Sequence, residues 1–215
     1  HKDGVHKSID GGKTWTASSE GIEKGFEIVE VVVSPTNPLD VYAIGSIVWN
    51  GKFYRSEDGG KTWKSSSRIN VDLVANPTLD NISNGTTALS APKNIAVNPR
   101  NGKELFIAAN WRCPLSTDGG ITWNERDAKA DISVITDVRF SKNRTYVSVM
   151  DEGTLASDDG GKLWKQLWPL SHVLGLSGHN WRVAVNDIGG KDRVIATVSP
   201  WDDGSQKTVR SEDGG

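Results

Sequence analysis

The chain has 215 residues, of which 25 are Lys or Arg and 27 are Asp or Glu, so its formal net charge is -2. A nearly neutral chain gives no electrostatic reason to expect a nucleic-acid partner, and no apolar run approaches the roughly 18 residues of a membrane span. The 23 Gly and 8 Pro argue against a helical bundle, and the single Cys113 excludes an intramolecular disulfide and a multi-cysteine metal site.

An internal repeat accounts for four of the nine Trp residues. Segments of the form Ser-x-Asp-Gly-Gly-x-Thr/Leu-Trp recur four times, and a fifth copy stops at its Gly pair. The five boxes, numbered in chain order, are residues 8–15, 56–63, 116–123, 157–164 and 211–215. Their first residues lie 41 to 60 positions apart, which is typical of four-stranded propeller blades.

The segments between the boxes predict strands, because they are rich in Val, Ile and aromatic residues and tend to alternate with polar ones. In each unit a first and a second strand precede a third strand that runs into the box, and a fourth strand starts at the box Trp. The predicted first and second strands are 27–34 and 40–45, 93–98 and 104–109, 135–141 and 144–150, and 180–186 and 193–198.

Each box has the chemistry of a tight hairpin turn. Its Asp can accept hydrogen bonds from nearby backbone N–H groups, and its Gly pair supplies the positive φ that the turn needs. The Trp then re-enters the sheet, where it can pack between neighbouring blades. We therefore assign structural roles to Asp10, Trp15, Asp58, Trp63, Asp118, Trp123, Asp159, Trp164 and Asp213.

These boxes resemble the Asp-box, or bacterial neuraminidase (BNR) repeat, of a β-propeller family that includes xyloglucan-cleaving glycoside hydrolases, sialidases and sortilin-type receptors. The resemblance implies an all-β fold, namely a β-propeller of four-stranded antiparallel blades, with about four blades in residues 1–215. It also implies that the boxes lie away from the usual ligand face and that the protein is secreted or at the cell surface. It implies no particular activity, since one fold hosts many functions.

The two ends of the chain carry the same part of the unit. Residues 4–8 and the segment before the fifth box both have the position of a third strand. We therefore expect a single propeller region, residues 1–215, that is a fragment of a larger propeller and is truncated mid-blade at both ends. A closed four-bladed ring is the alternative, in which the two third strands would compete for one place.

Strand order also predicts a ligand face. Loops from second to third strands share one face with the connections between units, and three of these four loops carry a Trp outside the boxes. Indole rings beside acids and amides suit sugar rings, although these Trp could instead cover the ends of the sheets. The predicted ligand-binding residues are Trp49, Trp111, Trp201, Asp151, Glu152, Asp202 and His179, with His172 and Asp203 on the same face.

Two classes of function stay open, so the sequence does not decide whether the chain is an enzyme. The first is a recognition or scaffold propeller that binds a polysaccharide or a protein partner through the Trp-rich face, with no cofactor, no metal, no nucleic acid and no membrane insertion. The second is a glycoside hydrolase, xyloglucanase-like before sialidase-like, with some catalytic residues outside these 215. For it, Asp151 and Asp203 are the candidate carboxyl pair, which must stand about 5–9.5 Å apart.

Overall fold

The computed structural model describes residues 4–47, 50–66, 89–110, 112–126, 134–150, 152–168, 179–199 and 206–215. All regular structure in these ranges is β, and none of them contains a helix that could cross a membrane. The strands are β1 His6–Lys7, β2 Thr16–Ala17, β3 Glu27–Val33, β4 Val41–Ile47, β5 Asn50–Ser56, β6 Lys64–Ser66, β7 Leu89–Ser90, β8 Asn94–Asn98, β9 Asn101–Ala108, β10 Pro114–Ser116, β11 Asn124–Glu125, β12 Ile135–Phe140, β13 Thr145–Val149, β14 Gly153–Ser157, β15 Lys165–Trp168, β16 Asn180–Ile188, β17 Lys191–Val198 and β18 Lys207–Ser211.

These strands form five antiparallel sheets that follow one another along the chain. Sheet 1 is β1–β2, sheet 2 is β3–β4–β5–β6 with β7 beside the start of β5, sheet 3 is β8–β9–β10–β11, sheet 4 is β12–β13–β14–β15, and sheet 5 is β16–β17–β18. Sheets 2, 3 and 4 each contain the four strands of one unit in simple meander order. The predicted all-β class and the four-stranded antiparallel unit are thus confirmed.

The predicted first and second strands agree with the structure to within three residues at every end. The largest difference is at β9, which begins at Asn101 although the prediction was residue 104. Asn98 pairs with Asn101 across a tight turn, so the second strand starts earlier than its apolar residues indicate.

Each box turn is closed by its own Ser and Asp side chains. In the second box the Ser56 hydroxyl donates to Asp58 Oδ1 (2.7 Å) and accepts the N–H of Gly60 (2.8 Å). Asp58 in turn accepts the N–H (2.9 Å) and the hydroxyl (2.6 Å) of Thr62. The first and third boxes repeat all four bonds, whereas the fourth has Leu163 in place of Thr and keeps three of them.

We expect these turns to make stability depend on pH in acid. The Thr14 hydroxyl and its N–H hold the pKa of Asp10 at about 2, and the same bonds from Thr62 hold the pKa of Asp58 well below its usual range. Because the folded-state pKa is depressed, the stabilisation is complete above the unfolded value of about 3.9 and is lost as the pH falls through the folded value. Urea unfolding at neutral pH and at several acidic pH values should therefore show a falling free energy of unfolding below pH about 4. A Thr62→Val variant should fall less steeply, and a flat wild-type profile in that range would contradict the prediction.

The indoles of the second, third and fourth boxes fill the gaps between adjacent sheets. Trp123 of sheet 3 is 1% exposed and meets Phe53 of sheet 2 edge to face, with ring centroids 4.9 Å apart. Trp164 of sheet 4 packs in the same way against Phe106 of sheet 3 at 6.2 Å. The indole N–H of Trp63 donates to the Ser18 carbonyl, just beyond sheet 1 (2.8 Å). Each of these Trp residues therefore joins its own sheet to the sheet before it.

Trp15 of the first box differs from the other three. Its side chain is 63% exposed, and its N–H donates to the Gly12 carbonyl of its own turn (3.1 Å). The packing of this indole between blades stays a prediction. Within the described residues no sheet lies on the far side of sheet 1, so the ring has no surface against which to pack.

One polar residue stands at the same register on each first strand, which we call the clamp position. In each unit the box Ser pairs with one residue of the second strand. The clamp residue pairs with the residue three positions later on that second strand. The four clamp residues are Glu30, Asn94, Asp137 and Arg182. The first three accept a backbone N–H from the next first strand, at 2.8 Å from Ile95 to Glu30, 3.2 Å from Val138 to Asn94 and 3.0 Å from Val183 to Asp137. These bonds tie sheets 2 to 5 together at their first strands.

Candidate functional site

The connections between second and third strands define one edge of the sheets, which we call the loop edge. In sheet 2, Ile47 at the end of β4 pairs with Asn50 at the start of β5. In sheet 4, Val149 of β13 pairs with Gly153 of β14. The box turns join third to fourth strands and thus lie at the opposite ends of these antiparallel strands.

Most of the predicted ligand-binding residues lie outside the described residues. They are Trp49, Trp111, Asp151, His172, Trp201, Asp202 and Asp203. The described strand ends that flank the predicted second-to-third loops belong to sheets 2, 3, 4 and 5, all at the loop edge. The ligand role of these residues, and the catalytic role of Asp151 and Asp203, stay predictions.

Glu152 and His179 are the two predicted residues that the structure describes. Glu152 is half-buried, and its carbonyl accepts the side-chain N–H of Gln166 (2.6 Å). His179 is only 8% exposed, and its carbonyl accepts the N–H of Ser199 (3.1 Å). Both lie at the loop edge of sheets 4 and 5, but His179 has little surface left for a ligand.

A polar cluster holds sheets 4 and 5 together beneath this edge. The hydroxyl of Thr136 bonds the carbonyls of Ser148 (3.1 Å) and Asn180 (2.9 Å), and the amide of Asn180 donates to the hydroxyl of Thr154. All four residues are buried. These hydrogen bonds therefore join sheets 4 and 5 directly beneath their loop edge.

A depression opens at the loop edge of sheet 5. Its lining residues include Trp181 and the polar residues Ser199, Gln206, Lys207 and Thr208. Trp181 is half-buried, and its N–H donates to the Ser199 carbonyl (3.2 Å), which orients the ring. Two of the lining residues, Ser199 and Gln206, come directly before and after residues 200–205 in the sequence, the segment that contains the predicted Trp201 and Asp202.

Trp181 did not appear among the sequence-predicted site residues, because it falls inside the predicted first strand 180–186. In the structure it is the extra residue of a β-bulge, since Asn180 pairs with Val198 and Arg182 pairs with Thr197. A bulge re-aims the side chain of its extra residue, and no local sequence pattern marks one here. The nearest signal was the position of this Trp directly after the long connection 165–179.

The described part of the chain offers no ready metal site. No group of three His, Cys, Asp or Glu side chains in those residues stands close enough together to hold an ion. The side chains of the residues that line the depression in sheet 5 carry an indole, hydroxyls, an amide and one ammonium group.

Comparison with known proteins identifies the repeats and the fold. The BNR/Asp-box repeat model matches residues 54–65 and 115–125, whereas no curated protein matches the chain. The GH74 enzyme of Niastella koreensis is 17% identical with a TM-score of 0.62, over 98% of this chain and 27% of that one. The extracellular domain of a hybrid two component system from B. thetaiotaomicron is 12% identical with a TM-score of 0.58, over 96% and 27%. YCF48 bound to D1 peptide is 10% identical with a TM-score of 0.52, over 88% and 60%.

At these identities the likeness shows the fold alone. The sheets of this chain are blades, and the chain is a β-propeller of antiparallel four-stranded units. Its blades carry the BNR/Asp-box repeat. The chain spans 27% of the length of the GH74 enzyme. The three similar structures are an enzyme, a sensor domain and a protein bound to a peptide, so the shared fold does not indicate one function.

Proposed function

We propose that this propeller recognises a glycan through its loop edge, as a non-catalytic binding or scaffold protein outside the cell or on its surface. The depression in sheet 5 carries the proposal, because it places an oriented indole beside hydroxyl, amide and ammonium groups. An indole covers the apolar C–H face of a sugar ring, and the polar groups bind its hydroxyls.

Two further features support a glycan ligand. The predicted Trp49 and Trp111 would add indoles to the same edge at sheets 2 and 3, and the predicted Trp201 would add a second one at sheet 5, which suits a long chain of sugar units. The net charge of -2 provides no strong field that would attract a polyanion. We therefore expect a neutral polysaccharide, with xyloglucan oligosaccharides as the first probe.

The test compares indoles at the two ends of the sheets. Trp181→Ala and Trp201→Ala should each weaken binding of a xyloglucan oligosaccharide by about two- to tenfold, because a lost aromatic contact is worth about 0.5–1.5 kcal/mol. Trp181→Phe should retain most of the affinity, since it keeps a flat apolar surface. Trp15→Ala, which removes an exposed indole from the box end, is the matched control and should bind as the wild type does.

Calorimetric titration and a glycan array give the outcome. If no glycan binds, or if Trp181→Ala and Trp201→Ala leave binding unchanged, the loop-edge proposal fails. Binding of a protein partner in the absence of any glycan binding would favour the other recognition class, a propeller that binds polypeptide.

Turnover separates the glycoside hydrolase alternative. Wild-type protein that cleaves xyloglucan, with cleavage lost in Asp151→Asn and Asp203→Asn, would overturn the non-catalytic proposal. In that case Trp181→Ala should raise KM more than it lowers kcat, because the indole contacts the bound sugar in ground state and transition state alike. Sialosides should be assayed beside xyloglucan, since sialidase-like activity belongs to the same alternative.

A further inference from the structure

The contact between sheets 3 and 4 is apolar just above its clamp residues. Ala108 and Cys113 of sheet 3 meet Ile135 of sheet 4 in one buried apolar cluster. Ala108 pairs with the clamp residue of sheet 3, and Cys113 stands across from it on the third strand. Ile135 comes just before the bulge that precedes the clamp residue of sheet 4. The same three positions can therefore be located between sheets 4 and 5.

Ser148, Thr154 and Asn180 occupy the matching positions between sheets 4 and 5. Ser148 pairs with the clamp residue Asp137 on one side and with Thr154 on the other, so these three side chains point to one face of sheet 4. On that face Asp137 accepts a backbone N–H of sheet 5, and Thr154 accepts the side-chain amide of Asn180. The hydroxyl of Ser148 therefore lies between two contacts with sheet 5, on the side of Asn180.

The three polar residues are enclosed, but their hydrogen bonds are incomplete. Ser148 and Asn180 are 0% exposed and Thr154 is 3% exposed. Ser148 Oγ and Asn180 Oδ1 have no hydrogen-bond partner among the described residues, and the hydroxyl proton of Thr154 has no acceptor in the same part of the chain. Buried polar atoms of native proteins are nearly always paired, either with protein groups or with ordered water. These atoms therefore call for a partner that the chain itself does not supply.

The chemistry of the three groups specifies a small neutral guest. Two hydroxyl donors and one carbonyl acceptor match the lone pairs and one proton of a water molecule. Cross-strand side chains begin about 4.5–5.5 Å apart, so hydrogen bonds of about 2.7–3.0 Å to one shared water molecule can span them. The carboxylate beside them, Asp137, is already paired with Arg139 (2.9 Å), which disfavours a metal cation. We propose that Ser148, Thr154 and Asn180 bind one structural water molecule between sheets 4 and 5.

This water site is separate from the proposed glycan site. Its polar groups are enclosed between two sheets and cannot reach a ligand at the loop edge. The water molecule connects Ser148 of β13 with Asn180 of β16, two side chains that have no direct bond to each other. It thus gives the junction of sheets 4 and 5 a hydrogen-bonded link at the depth where the junction of sheets 3 and 4 has apolar packing.

Magnetic relaxation dispersion of water tests the proposal, because it counts the water molecules that stay bound for longer than the protein takes to rotate. A triple variant with Ser148→Ala, Thr154→Cys and Asn180→Ile copies the residues found between sheets 3 and 4, and it should lower that count by one. Ser141→Ala is the matched control. The hydroxyl of this buried serine in sheet 4 already accepts the N–H of Arg144 (3.0 Å), so the count should not change.

Thermal unfolding of Ser148→Ala gives a second readout that does not depend on the folding of the triple variant. If water pairs the hydroxyl, its loss should lower the midpoint by about 2–4 °C. If the hydroxyl has no partner, the same change should leave the midpoint unchanged or raise it, and the proposal fails.

A crystal structure of the complete chain locates the guest. It should show one water molecule within hydrogen-bond distance of Ser148 Oγ and Asn180 Oδ1. A metal ion at that place, or a direct bond between the two side chains, would overturn the proposal, as would an unchanged water count in a folded triple variant.

Discussion

Replacement of Trp123 by alanine is expected to lower the free energy of unfolding by about 3–5 kcal/mol, the range found when large buried aromatic side chains are removed. The indole is 1% exposed and lies in one cluster with Phe53, Ile95 and Leu105, which belong to two sheets. Its loss opens a cavity at the junction of sheets 2 and 3. The strands that carry Phe53 and Leu105, β5 and β9, are hydrogen-bonded on both sides, which limits their collapse into the cavity. The midpoint of urea unfolding, followed by far-UV circular dichroism, gives the measurement.

The control is the same substitution at the same position of the first box. Trp15→Ala removes a side chain that is 63% exposed, so the free energy of unfolding should change by less than about 1 kcal/mol. Equal losses in the two variants would show that the box turn itself, and not the contact between sheets, is the source of the stability.

The comparison of Trp123 with Trp15 also shows which features can be predicted from the sequence. The boxes lie between third and fourth strands, so their spacing predicts the strand order of every unit, and the apolar alternation places strand ends to within three residues. These signals are local: hydrogen bonds within the Ser56–Thr62 turn and burial along one strand suffice to produce them.

Local sequence could not distinguish Trp15 from Trp123, because both stand in the same motif and differ only in the neighbouring sheet. The clamp position was missed for a related reason. Its members align only after the bulges before Glu30, Asp137 and Arg182 are counted, and a bulge has no sequence signature in this chain. The same shift brought Trp181 to the depression at the loop edge. The role of a residue that depends on contact between strands can therefore be seen only in the structure. The role of a residue that depends on its own strand or turn can be predicted from the sequence.

Asp137 is the member of the clamp position with the most demanding surroundings. Its side chain is fully buried, and it accepts hydrogen bonds from the N–H of Val183 (3.0 Å) and of Val138 (3.0 Å) and pairs with Arg139 (2.9 Å). Burial raises the pKa of this carboxyl above its usual range, although these N–H groups and the arginine lower it. The negative charge therefore adds little net stability, and the acceptor oxygens are the essential feature.

Asp137→Ala should consequently lower the free energy of unfolding by about 3–4 kcal/mol, because it leaves buried N–H groups without an acceptor and Arg139 without its carboxylate. Asp137→Asn keeps one oxygen for Val183 and should cost only about 1–2 kcal/mol. Asp158→Ala is the matched control: that carboxylate pairs with Arg144 but is half exposed, and surface pairs contribute at most about 1 kcal/mol. Hydrogen exchange at the Val183 amide should report the same order, with protection lost in Asp137→Ala and retained in Asp137→Asn. Similar costs for Asp137→Ala and Asp158→Ala would mean that the first strands are held together by apolar packing, and that the repeated acceptor at the clamp position is incidental to it.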